Sequence, residues 1–115
     1  MEDSFFQNDE ILIPTVDENS INNENATKIS ELSKKGYQLL KEDDTEGARA
    51  AFNEILELDD NNNYALVGIG DIERKLGHID LAIENYKKCL EYFPANNYAL
   101  FGLAESTLTV TVFAA

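Results

Sequence analysis

At 115 residues the chain is long enough for at most one small domain, and its 43% hydrophobic content supplies a core for part of that length. Nine Lys and Arg against 22 Asp and Glu leave a net charge of −13. This argues against a nucleic-acid partner, whose phosphates attract cations, and against an anionic membrane surface; it leaves room for a basic partner.

No basic stretch followed by an apolar run opens the chain, so no secretory signal is expected. No apolar run approaches the roughly 20 residues of a membrane span. The single cysteine, Cys89, has no partner for an internal disulfide, which fits a reducing compartment. A cytoplasmic location is the expectation.

Residues 1–26 read as a disordered acidic tail. They are rich in Asn, and the first basic residue is Lys28. Two apolar clusters interrupt the tail, Phe5-Phe6 and Ile11-Leu12-Ile13-Pro14. They form either a short docking motif or incidental residues of a terminal segment.

From about Ala26 the pattern turns helical. Ile29, Leu32, Gly36, Leu39 and Leu40 recur at spacings of three and four. Asp43-Asp44-Thr45 breaks the run, and Ala48, Ala51, Phe52, Ile55 and Leu56 share one face of a second helix. Asp59 to Asn63 is the next break. A third helix holds Leu66, Ile69, Gly70 and Ile72 and ends at Gly77-His78, Gly being favoured just past a helix C-terminus. A fourth carries Ala82, Ile83, Tyr86, Cys89 and Leu90 until Pro94 stops it. A fifth starts near Asn96.

Two stretches are near copies of each other. Asn62-Asn63-Tyr64-Ala65-Leu66-Val67-Gly68-Ile69 returns as Asn96-Asn97-Tyr98-Ala99-Leu100-Phe101-Gly102-Leu103. The same shift, from Asn62 to Asn96, carries Leu32 onto Leu66, Gly36 onto Gly70, Ala48 onto Ala82, Phe52 onto Tyr86 and Leu56 onto Leu90. A fixed period of about 34 residues marks stacked helical hairpins, because one hairpin cannot bury its apolar face alone. The small residues let paired helices approach, and Phe52 and Tyr86 fill the gap to the next hairpin.

On these residues the chain resembles the tetratricopeptide repeat (TPR) family over roughly residues 27–106. The second repeat matches the family pattern at Leu66, Gly70, Gly77, Ala82, Tyr86 and Pro94. The first has Asp43 in place of the turn Gly and Asp60 in place of the Pro. Glu73 stands where a large apolar residue is usual. The resemblance implies an all-α fold in which antiparallel helix-turn-helix repeats stack as a short right-handed solenoid of about five helices. The divisions are a tail at 1–26, repeats at 27–60 and 61–94, and a partial third repeat at 95–115.

That third repeat consists of one helix to about Ser106, followed by an irregular apolar tail. Thr107, Thr109 and Thr111 alternate with Leu108, Val110 and Val112, and β-branched residues are mediocre helix formers, although Leu100, Leu103, Ala104, Thr107 and Leu108 also fit one helical face. Three readings of this ending stand: a piece of a longer repeat protein, a segment that pairs with another chain, or one that folds back over the fourth helix.

The family usually holds peptides in a concave groove of first helices. The matching positions are Ser30, Ser33, Tyr37, Leu40 and Lys41 in helix one, Tyr64, Val67, Asp71, Arg74 and Lys75 in helix three, and Tyr98, Phe101 and Glu105 in helix five. The expected groove residues are Tyr37, Lys41, Tyr64, Val67, Asp71, Arg74, Lys75, Tyr98 and Phe101. Tyr64 and Tyr98 sit at helix starts, where covering a helix seam would also account for them. Arg74 and Lys75 close a helix whose dipole favours cations in any case. The Lys and Asn clamp by which some family members hold chaperone C-termini is not matched: Ser33, Tyr37, Gly68, Tyr98 and Gly102 stand there.

No catalytic constellation, cofactor loop or metal spacing is present in the sequence, so neither enzymatic activity nor a cofactor is expected. His78 is a lone histidine in a turn. Cys89 falls on an inward position as a small hydrophobe. Glu42-x-Asp44-x-Glu46-Gly47 hints at a calcium loop, but Asn53 holds the place of the required bidentate Glu. The expected role is a scaffold that binds another protein or peptide, its own tail included. The alternative is a self-association module.

Overall fold

The computed structural model describes the backbone of residues 18–114 and the side chains of residues 23–112. Five helices and no strand occur among the described residues: α1 (Glu18–Lys41), α2 (Thr45–Leu58), α3 (Asn63–Lys75), α4 (Ile79–Tyr92) and α5 (Asn97–Ala114). Each packs on its chain neighbour. In addition α1 touches α3, and α3 touches α5, whereas α2 and α4 do not meet. The odd-numbered helices therefore form the closer, inner layer, and α2 and α4 splay on the outer side.

Local chemistry sets the helix ends. The duplicated Asn is a cap: Asn62 Oδ1 accepts from the Ala65 N–H at 3.1 Å, and Asn96 Oδ1 accepts from the Ala99 N–H at 2.9 Å. Asp44 caps α2 by accepting from the Gly47 N–H at 2.9 Å. That cap, one part of a turn and helix start, accounts for an acid that resembles a calcium ligand in the sequence.

Gly77 ends α3 in the left-handed region at φ 85°, and Asp43, one repeat earlier, adopts the same region at φ 67°. Both turns then close with the same long backbone bond, from Asp44 N–H to Leu39 C=O and from His78 N–H to Glu73 C=O, each at 2.8 Å. Asp substitutes for Gly because its short polar side chain tolerates this conformation better than most.

The core has two layers, one per hairpin junction. Leu32, Ala48, Phe52, Ile55, Ala65, Ile69 and Ile72 form the first. Leu66, Val67, Ala82, Tyr86, Cys89 and Ala99 form the second. Phe52 and Tyr86 are fully buried, each ring wedged between glycines of two successive inner helices. A Cβ on Gly36 would lie 2.7 Å from Phe52, and one on Gly70 the same distance from Tyr86. At Gly68 and Gly102 the ring sits closer still. The sequence period thus encodes a repeated ring-between-glycines joint.

Two boundaries differ from expectation. α1 begins at Glu18, so residues 18–26 are helical; the rest of the expected tail, with both apolar clusters, lies outside the described residues. This first part of α1 precedes the packed core and has no apolar face for periodicity to reveal, but extending a formed helix adds one hydrogen bond per residue fixed. Second, the expected irregular segment after Ser106 is helix to Ala114. Its threonines satisfy their hydroxyls within the helix: Thr109 Oγ1 donates to the Glu105 carbonyl and Thr111 Oγ1 to the Thr107 carbonyl, both at 3.0 Å. The propensity cost of a β-branched residue is only a few tenths of a kcal/mol, roughly, once the first turns are packed.

Candidate functional site

Along the inner layer, α1, α3 and α5 enclose a depression of about 430 Å³ lined by Ser33, Lys34, Tyr37, Tyr64, Val67, Asp71 and Tyr98. Five of the nine expected groove residues meet here. Tyr64 is 50% exposed and Tyr98 77% exposed, so both present ring faces to solvent, while Val67 is buried beneath them.

Tyr37 is built in more firmly. Its ring meets Phe52 edge-on at 5.0 Å, and its hydroxyl donates to the Tyr64 carbonyl at 3.1 Å. Burial, with the Asp71 charge second, pushes its phenol well above the ordinary range. Tyr37 therefore forms part of the wall and ties α1 to the start of α3.

Asp71 and Arg74 belong to a network that joins three helices. Tyr86 Oη donates to Asp71 Oδ1 at 2.5 Å, and Arg74 Nε donates to Tyr86 Oη at 3.2 Å. The Arg74 guanidinium also pairs with Asp71 at 3.4 Å and with Glu105 of α5 at 3.5 Å. Burial and the bond to Asp71 push the Tyr86 phenol up. Lys75 reaches back to Asp43 at 2.6 Å. Arg74 and Lys75 are therefore charge-compensated. With Leu40 and Asp71 they line a neighbouring shallow depression. Lys41 is exposed on α1, and Phe101 is 64% exposed on α5.

A further depression of about 490 Å³ continues along α1 and is lined by Ala26, Ile29, Ser30, Ser33, Lys34, Asn62 and Tyr64. It shares Ser33, Lys34 and Tyr64 with the first. Lys34 is absent from the expected groove residues, yet it stands three residues before Tyr37 and four after Ser30, on the same helical face.

The residues that carry potential chemistry elsewhere are structural. Glu73 is buried; Arg49 donates to it from α2 at 3.1 and 3.4 Å, and His78 Nδ1 lies 3.0 Å from it. The Arg49 hydrogen bond, outweighing burial, holds the Glu73 carboxyl below its ordinary range. This partnership explains how an acid occupies an inward position. Cys89 is buried, and burial pushes its thiol up. No group of three or more candidate metal ligands occurs among the described residues, and no helix there is long and apolar enough to cross a membrane.

This geometry, paired helices in register with rings seated on glycines, defines a helical-repeat protein. The family model for the tetratricopeptide repeat matches residues 64–96. The TPR repeat-containing protein MJ1428 of Methanocaldococcus jannaschii is 34% identical over 85 residues, 65% of this chain. The match spans only 15% of that relative's length. Among solved structures, the C-terminal TPR-containing domain of a Plasmodium falciparum putative FK506-binding protein superposes with a TM-score of 0.69 at 20% identity, over 87% of this chain and 66% of that one. Residues 64–96 carry a tetratricopeptide repeat, and the relative and the solved structure that the chain resembles are both TPR-containing. Domains of this family are in general non-enzymatic modules that bind other proteins or peptides.

Proposed function

We propose that this chain is a cytoplasmic, non-enzymatic scaffold that holds a peptide or helix across the inner face of α1, α3 and α5. The repeats at 27–60 and 61–94 and the partial repeat at 95–115 would act as one binding unit. The observation that carries this reading is the pair of exposed aromatic rings, Tyr64 and Tyr98, standing over the buried Val67 at the mouth of a 430 Å³ depression. Rigid aromatic anchors of this kind dominate many binding surfaces.

The groove contacts fall into two kinds. Tyr64, Tyr98, Phe101 and Lys41 are free to touch a ligand. Tyr37, Val67, Asp71, Arg74 and Lys75 form or brace the wall. A peptide library screened against the full chain and against the double variant Tyr64→Ala/Tyr98→Ala tests this. Binding peptides should be lost from the variant while its thermal unfolding stays cooperative. Peptides retained in full by the variant would overturn the reading.

A second reading, self-association, rests on α5. Leu100, Leu108, Val110 and Val112 are all exposed, and no charged side chain follows Glu105 in the chain. Light scattering on the full chain and on Leu108→Ser/Val112→Ser decides it: a monomer at all concentrations removes this alternative.

A further inference from the structure

The two depressions on the inner face run together, apolar in their lining, with Lys34 at the junction they share. Residues 1–17 have the complementary order. Phe5-Phe6 and Ile11-Leu12-Ile13 are two apolar clusters, and Asp9-Glu10 lies between them. That segment holds five acids and no Lys or Arg.

Charge favours the match. The chain as a whole carries −13, yet Lys34, Arg74 and Lys75, three of its nine basic residues, line depressions of the inner face. Arg74 and Lys75 are compensated by Asp71, Glu105 and Asp43. No ion pair occupies Lys34 among the described side chains, and it is exposed. Over most of its surface this protein would repel an acidic segment; here it would not.

Reach favours it too. α1 starts at Glu18, and Ser30 lies 12 residues further along, about 18 Å at helical rise. Extended chain spans up to ~3.4 Å per residue, so Ile13 can return about 17 Å and Phe6 about 40 Å from Glu18. The first distance reaches the depression at Ala26 and Ile29. The second reaches the one rimmed by Tyr64 and Tyr98, since neighbouring helices lie about 8–10 Å apart.

We infer that the N-terminal segment of this chain, residues 1–17, is the resident occupant of its own inner groove. Ile11-Leu12-Ile13 sits against Ala26 and Ile29, Asp9-Glu10 against Lys34, and Phe5-Phe6 against Tyr64 and Tyr98. This inference rests on the groove reading above and adds that an external partner must displace the segment. The scaffold is then autoinhibited, with partner affinity set by competition against a tethered ligand at an effective concentration in the millimolar range, on the order of that for short flexible linkers.

The test uses a fluorescein-labelled synthetic peptide of residues 1–17 and reads fluorescence anisotropy on three full-length chains. They are the unaltered chain, a tail variant Phe5→Ser/Phe6→Ser/Leu12→Ser, and that variant with Lys34→Glu added. The peptide should bind the tail variant about tenfold or more tightly than the unaltered chain, whose own segment competes. Lys34→Glu should weaken binding several-fold, as should added salt.

Absence of saturable binding to the tail variant overturns the inference, as does equal binding to the first two chains. An unaltered chain that is a dimer, with the tail variant monomeric, also overturns it in favour of exchange between copies. Library-selected peptides on the same tail variant separate the two levels. If they bind through Tyr64 and Tyr98 while the 1–17 peptide does not, only this inference falls. If no peptide binds, the groove reading falls with it.

Discussion

α3 and α5 start from the same letters, an Asn cap followed by Asn-Tyr-Ala-Leu, with a Gly two residues on, and they end in different situations. Their shared residues do the same work where the surroundings are the same. Ala65 and Ala99 are both fully buried, and Gly68 and Gly102 both seat the ring of the preceding outer helix. On the opposite face they part company. Leu66 is 2% exposed because α4 covers it, whereas Leu100 is 45% exposed because no described helix follows α5. Helix identity is local; helix burial depends on what stacks next. This is why repeat proteins gain stability from interfaces between units rather than from units alone.

The sharpest way to break this comparison is a matched substitution. Leu66→Ala should cost about 2–5 kcal/mol, the range for emptying a buried leucine site. Leu100→Ala should cost less than about 1 kcal/mol, because much of its surface is already hydrated. Urea unfolding of both variants measures the difference. Equal costs would mean that α5 is covered in solution, by a second copy or by another segment.

The glycine joints should behave alike instead. Gly68→Ala and Gly102→Ala each push a methyl into a buried ring that another glycine traps from behind. Each should cost about 1–3 kcal/mol net, despite alanine's better helix propensity. A cheap Gly102→Ala beside a costly Gly68→Ala would show that α5 sits loosely.

Glu73 and its counterpart Thr107 extend the contrast to charge. Glu73→Gln should cost about 1.5–3 kcal/mol at neutral pH, the worth of hydrogen bonds to a charged group, whereas Thr107→Ala, at an exposed site, should be near neutral within about 0.5 kcal/mol. The pH dependence follows from the direction of the Glu73 shift. Its folded carboxyl is held below the ordinary value of 4.5, so its contribution is complete above that pH and is lost as pH falls through the lower, folded value. The stability gap between the unaltered chain and Glu73→Gln should therefore close in acid, as thermal melts across pH 3 to 7 (roughly the carboxylate range and above) would show.

The smallest expected effect has the opposite sign. Ser106, one repeat after Ile72, is fully buried, and its hydroxyl has no hydrogen-bond partner among the described residues. Ser106→Ala should stabilise the chain by about 1 kcal/mol, read as a higher urea midpoint. A loss of stability would mean that a partner, such as water, satisfies the hydroxyl.

Much of this architecture is legible in the residues alone. The spacing of Leu32, Gly36, Ala48 and Phe52, repeated at Leu66, Gly70, Ala82 and Tyr86, is enough to place four helices and their pairing, because each position answers to a neighbour in the same or the next hairpin. Helix ends at Asn62, Gly77 and Pro94 are equally readable, since caps and breakers act within a few residues.

The start of α1 and the end of α5 are not readable in this way. Residues 18–25 carry no helical apolar face, and residues 107–114 fit a strand-like alternation as well as the continuation of a helical face, so continuation from a packed helix decides their state. The candidate site divides along the same line. Tyr64 and Tyr98 follow from the period and from their place at helix starts. That Arg74 is held by Tyr86, Asp71 and Glu105, that Tyr37 is locked to Tyr64, and that Lys34 joins two depressions depend on side chains from different helices meeting in space. Periodicity is a property of the chain and survives in one dimension. Charge compensation and exposure are properties of neighbours, and only the stacked helices bring those neighbours together.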